Sequence, residues 1–159
     1  MSGTIEKANF LRNKFISMLT TISPVTVPNW GKMNLHQMIE HMSYSFRQAN
    51  GKEEYPMITP EEHITKMQAF LESDKPFREN TPNKLLPDDP EPPKTATIPL
   101  ALEELKREIE HFFEVFARHP DKKITNPIFG VLSYEQWVKL LYKHAWHHLR
   151  QFGVEANLS

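Results

Sequence analysis

Four stretches of this chain space apolar residues at intervals of three and four while strand-like alternation is nearly absent, so its core has to be built from amphipathic helices. In the first, the stripe is Ala8, Leu11, Phe15, Met18, Leu19 and Ile22, and Pro24 and Pro28 stop the helix. The second opens at Asn34, whose side chain can cap the helix while Gln37 reaches back from the third position. Its stripe runs Leu35, Met38, Ile39, Met42, Phe46 and Ala49, and Asn50-Gly51 ends it. The third carries Leu102, Leu105, Ile109, Phe112, Phe113 and Phe116 up to His119-Pro120, where the proline forces an exit. The fourth opens with a second capping pair, Ser133 and Gln136, continues through Trp137, Leu140, Leu141, His144 and His148, and closes at Gly153.

Between the second and third helices lies a long connection, from Asn50 to about Pro99, that holds most of the 13 prolines. Within it TPEEHITKMQAFLES, opening at Thr59 with Pro60 at the first helical position, predicts a short helix. The remainder, notably LLPDDPEPPKTATIP, reads as extended chain lying over the surface. There is no internal repeat. Four amphipathic helices with one long crossover make an all-α four-helix bundle, one domain over residues 1–159, the economical solution.

Composition narrows the function. Lys+Arg total 19 against 20 Asp+Glu, a net charge of −1 with no long basic run, so nucleic acid is not the expected partner. The absence of cysteine excludes disulfides, a cysteine nucleophile and thiolate metal ligands, leaving nitrogen and oxygen for any metal. The opening MSGTIEKANFLRNKF carries Glu6, Asn9 and Asn13 among its apolar residues and does not read as a signal peptide, and no stretch approaches a membrane span. The expectation is a soluble, cytoplasmic protein without a membrane partner.

Chemistry concentrates in KHAWHHLRQF, residues 143–152. With Trp137 as zero and about 100° per residue, His144 falls at about −20° and His148 at about +20°, both inside the apolar stripe. His147 falls at about −80°, on the margin. A lone histidine on an apolar face is usually a core residue bonded to a carbonyl. Two stacked at i and i+4 each need their nitrogens satisfied, and that spacing lets them share a metal ion. No glutamate stands between them as in H-E-x-x-H, so zincin-type catalysis is not supported. A further ligand is available from the second helix at His36 or His41, which lie about 110° to either side of its stripe, and periodicity does not choose between them. His41 shares its side with Gln37 and Ser45, which can orient a ligand. Three neutral histidines leave a divalent ion open positions, the arrangement of a catalytic site.

Other candidates are weaker. His111 follows Glu108 in an E-x-x-H spacing but points about 160° from its stripe, and His63 and His119 read as surface residues. Glu40, next to His41 but turned about 100° away, reads as solvated. Tyr44, Tyr142, Trp146 and Arg150 are expected to pack or to lie on the surface.

Trp30-Gly31-Lys32-Met33, then QMIEHM at 37–42, then NPIFGVLSYEQWVKLLYKHAWHHLRQFG together resemble the DinB/YfiT-like superfamily, in a branch of unknown function. The resemblance implies a DinB-like four-helix bundle. It also implies a divalent metal, zinc or nickel, held by His41 as the first ligand and by His144 and His148 as the H-x-x-x-H pair. Where many members read H-x-x-H-H-R-G-Q, this chain places Leu149 and Arg150 before Gln151. Characterised members include S-transferases that use low-molecular-weight thiols. The implied function is therefore a metal-dependent transferase or hydrolase acting on a small molecule, with homodimerisation by analogy. The alternative is a non-catalytic metal-binding or stress-response bundle.

Overall fold

Both capping boxes form, and they start the two helices that carry the candidate ligands. The structure is a computed structural model that describes residues 2–79 and 89–155. Its elements are, in order, α1 (Ser2–Asn13), α2 (Phe15–Thr20), α3 (Leu35–Ala49), α4 (Glu61–Glu72), α5 (Ile98–Arg118), β1 (Ile124–Asn126), β2 (Gly130–Leu132) and α6 (Tyr134–Gln151). The architecture is mostly helical, six helices and one small hairpin among the described residues. In α3 the Asn34 side chain accepts from the Gln37 backbone N–H at 2.8 Å, and the Gln37 side chain accepts from the Asn34 N–H at 2.9 Å. Ser133 and Gln136 repeat the exchange in front of α6, at 3.3 and 3.0 Å. Each box satisfies two donors that a helix start otherwise leaves orphaned.

The apolar stripes then meet. Helix α3 packs along α5, and α6 lies against α1, α4 and α3. Met38, Ile39, Met42 and Phe46 are fully buried in α3, each worth about 1.5–3 kcal/mol of transfer free energy. Phe46 meets Phe112 of α5 edge-on at 5.9 Å, and Phe10 of α1 stacks on Trp146 of α6 at 5.2 Å. Tyr142 also packs on Phe10, at 5.3 Å, so it and Trp146 serve packing as expected.

Three local features differ from the sequence reading. The first stripe, expected as one helix, divides at Lys14, where φ is −122° and ψ −33°. Hydrogen bonds from Lys14 N to Phe10 O and from Met18 N to Lys14 O carry the ladder across, so the apolar stripe continues through the break. The short crossover helix forms, but Pro60 is its cap and the helix begins at Glu61. The hairpin was not anticipated. Its strands pair antiparallel, with Ile124 opposite Leu132. Asn126 Oδ1 closes the turn by accepting from the Ile128 and Phe129 N–H groups at 2.8 and 2.9 Å. Trp137 Nε1 donates to Ile124 O at 2.9 Å, fixing the hairpin to the start of α6.

Of the proline-rich crossover, residues 80–88 lie outside the described residues, while 89–97 form no helix or strand and run along α3 as a strap. Gln37 Nε2 donates to Glu91 O at 2.9 Å. Glu40 is not solvated: its carboxylate accepts from the Lys94 and Thr95 backbone N–H groups and from Thr95 Oγ1, the last at 2.6 Å. Burial pushes the Glu40 carboxyl upward, but the bonds from Thr95 and Lys94 outweigh it and hold the pKa below its ordinary value.

Candidate metal centre

The pairing of α3 with α6 brings His41, His144 and His148 together, although His41 and His144 stand 103 residues apart. Nε2 of His144 lies 3.0 Å from Nε2 of His41 and 2.9 Å from Nε2 of His148. One nitrogen from each ring falls within 4.8 Å of the others, and the trio is the group of three or more metal-ligating side chains found among the described residues. His148 is buried, and His41 and His144 are partly exposed toward one side.

The neighbours of the rings decide where their protons sit. Gln151 Nε2 donates to the Trp30 carbonyl at 2.8 Å, which fixes the amide so that Oε1 faces His148 Nδ1 at 2.7 Å. An amide oxygen only accepts, so His148 carries its hydrogen on Nδ1 and presents a bare Nε2. Ser45 Oγ lies 3.2 Å from the His41 carbonyl and 3.1 Å from His144 Nδ1, and with its one hydrogen on that carbonyl it accepts from Nδ1. His144 therefore also presents a bare Nε2. With both ring hydrogens on Nδ1, the 2.9 Å contact between these two nitrogens contains no hydrogen and sets two lone pairs face to face.

Protonation does not relieve that repulsion at neutral pH. Burial, with the neighbouring histidines adding to it, holds His144 and His148 well below the ordinary histidine value. Burial and then His147 bring His41 down from 6.5 to about 4. A cation does relieve it. Imidazole nitrogens at the 2.0–2.1 Å bond length of a tetrahedral zinc site stand about 3.3 Å apart, so the 3.0 and 2.9 Å contacts that His144 makes would open by a few tenths of an ångström around a divalent ion. Neutral rings, bare Nε2 atoms and hydrogen-bonded Nδ1 atoms are what such a site requires.

The remaining sequence candidates separate cleanly. His36 is drawn to the strap, its Nε2 2.7 Å from Thr95 Oγ1, and takes no part in the trio. Because Thr95 Oγ1 already donates to Glu40, His36 donates to Thr95. His147 lies on the flank between Trp30, at 5.3 Å, and Phe77, at 5.9 Å. Burial and then Arg150 lower His147 to about 4. Phe77, on the segment after α4, also meets His144 edge-on at 6.2 Å. Lys143 Nζ holds that segment by donating to the carbonyls of Ser73 and Lys75. Of the two residues expected to orient a ligand, Ser45 does so, whereas Gln37 is used by the cap and the strap. Sequence reasoning missed Gln151, whose signal was available: it follows His148 by three on the same helix face.

A family model described as the DinB superfamily matches residues 12–152. The chain belongs to the DinB superfamily. No curated protein and no solved structure gave a match. The three histidines brought together in this DinB superfamily chain could hold a metal. No helix among the described residues is long and apolar enough to cross a membrane.

Proposed function

We propose that this DinB superfamily protein is a metal-dependent enzyme whose divalent ion, zinc or nickel, is held by His41, His144 and His148. The observation that carries the reading is the convergence of the three rings, with His144 Nε2 3.0 Å from His41 Nε2 and 2.9 Å from His148 Nε2 while Ser45 and Gln151 engage the Nδ1 atoms of His144 and His148. A shared cation makes bonding a contact that two bare Nε2 atoms make repulsive. When bound, the ion supplies Lewis acidity for a water or an external low-molecular-weight thiol. The chain's own residues engage two of the three rings at Nδ1, Gln151 at His148 and Ser45 at His144, and bury His148. The reaction class is a thiol-dependent S-transferase or a hydrolase acting on a small molecule. A chain without cysteine brings no thiol of its own to the site, which suits an external one.

The architectural reading that goes with this is a single DinB-like four-helix bundle of α1–α2, α3, α5 and α6, with α4 and the strap in the crossover. A homodimer is the proposed assembly, and neither nucleic acid nor a membrane is a proposed partner. Elemental analysis of protein purified without a histidine tag tests the site, with about one divalent ion per chain expected. If removal of the ion by a chelator leaves the fold intact while turnover of thiol acceptors or esters stops, the enzyme reading stands. Loss of the fold on chelation, with no turnover in the loaded protein, favours the non-catalytic staple instead.

A further inference from the structure

The loop between α2 and α3 reaches the end of α6 at four points. Asn29 N–H donates to Gln151 O at 2.7 Å, and Asn29 Nδ2 donates to Arg150 O at 3.1 Å. These bonds occupy two of the last carbonyls of α6, which have no partner within the helix. Trp30 O accepts from Gln151 Nε2 at 2.8 Å. Gly31 completes the contact by what it lacks: a Cβ there would stand 2.8 Å from Gln151 Nε2, and its φ of +76° is one that other residues rarely adopt. Gln151 is 3% exposed, and its other end receives the His148 Nδ1 hydrogen at 2.7 Å.

We propose that this loop is a working part of the metal centre, with Gln151 as the positioning residue that selects the tautomer of His148. The proposal rests on the three-histidine site described above. Its logic is a chain of single-valued donors and acceptors. The Trp30 carbonyl can only accept, so it turns the Gln151 amide nitrogen outward. The amide oxygen then faces His148 and can only accept, so the ring hydrogen goes to Nδ1 and Nε2 is left bare toward the ion. Without the loop, the Gln151 amide is free to flip, its NH2 then faces Nδ1, and the ring hydrogen moves to Nε2, where it blocks coordination. The loop therefore acts on the metal from beyond the ligand itself. By reciprocity, an ion on His148 tightens the loop.

Imidazole 15N spectra of metal-free, histidine-labelled protein test the proposal directly, because they report the tautomer with no metal present. His148 is expected as the Nδ1–H form alone in the wild type, and as a mixture of tautomers in Gln151→Leu and Gly31→Ala. Gln151→Glu, which keeps an acceptor at Nδ1, is expected to retain the wild-type tautomer. Zinc affinity measured by competition with a chromophoric chelator should fall about 10–100-fold in Gln151→Leu and recover most of that loss in Gln151→Glu. Hydrogen exchange at the Asn29 amide should slow when zinc is added. An unchanged tautomer in both Gln151→Leu and Gly31→Ala overturns the proposal, as does a changed tautomer with unaltered zinc affinity. If the tautomers respond as expected but the wild type binds no divalent ion, the positioning role stands and the metal reading falls.

Discussion

His36 and His41 lie five residues apart on one helix and meet opposite fates. His36 finds a partner in the strap: its ring donates to Thr95, and Thr95 donates to Glu40. His41 faces α6, where its Nε2 lies 3.0 Å from His144 Nε2, which in turn lies 2.9 Å from His148 Nε2. Both side chains are partly buried, so burial does not distinguish a structural histidine from a ligand. The balance of donors and acceptors does. The His36 ring nitrogen meets a hydroxyl that can accept from it, whereas the His41 ring nitrogen meets a second imidazole that is itself packed against a third.

The largest expected effect breaks that contrast outright. His41→Ala, His144→Ala and His148→Ala should each lower zinc affinity by more than the roughly 10–100-fold that loss of an outer partner costs, whereas His36→Ala should leave it unchanged. Chelator competition on the four proteins measures this, and a loss in His36→Ala equal to that in His41→Ala would reverse the assignment. Next in size is the pH response of the metal-free protein. His41 and His147 drop from 6.5 to about 4 on folding, so between those values the unfolded chain binds protons that the folded chain refuses. Stability is then complete above pH 6.5 and declines as pH falls toward 4, and urea midpoints from pH 7 to 4.5 should follow that slope. His147→Gln should flatten part of it, and a wild-type midpoint that does not fall with pH contradicts the account.

A smaller effect probes the strap side. Glu40→Ala leaves the Thr95 and Lys94 donors without their acceptor and should cost about 1–3 kcal/mol, read as a lower unfolding midpoint and faster proteolysis near residues 89–95, with metal content unchanged. Smallest is Asp89→Ala. The Lys32–Asp89 pair is 2.7 Å long, but both side chains are largely in solvent, so the midpoint should not move measurably.

What the sequence made legible follows the range of the interactions. The capping pairs Asn34/Gln37 and Ser133/Gln136 and the stripes of α3, α5 and α6 are local, and all were readable from the spacing. The inward phase of His144 and His148 was readable for the same reason. Choosing His41 over His36 was not possible from periodicity, because the two flank one stripe symmetrically and only the elements packed alongside tell them apart. Glu40 was misread because its partners, Lys94 and Thr95, lie 54 and 55 residues away. The hairpin was overlooked because strands of three residues are too short to establish a period of two, and the side chain of Asn126, not a Gly-rich dipeptide, makes its turn. The family resemblance supplied the choice that periodicity left open, and the superfamily match over residues 12–152 bears out the family itself.

The 103 residues between His41 and His144 give the trio a topological weight beyond its chemistry. An ion bound to both histidines closes a covalent-like loop that contains the strap, α4, α5 and the hairpin, much as a disulfide would in a chain that has no cysteine to make one. Metal supply would then set how often this protein opens, and its lifetime in the presence of proteases would track the free concentration of the ion.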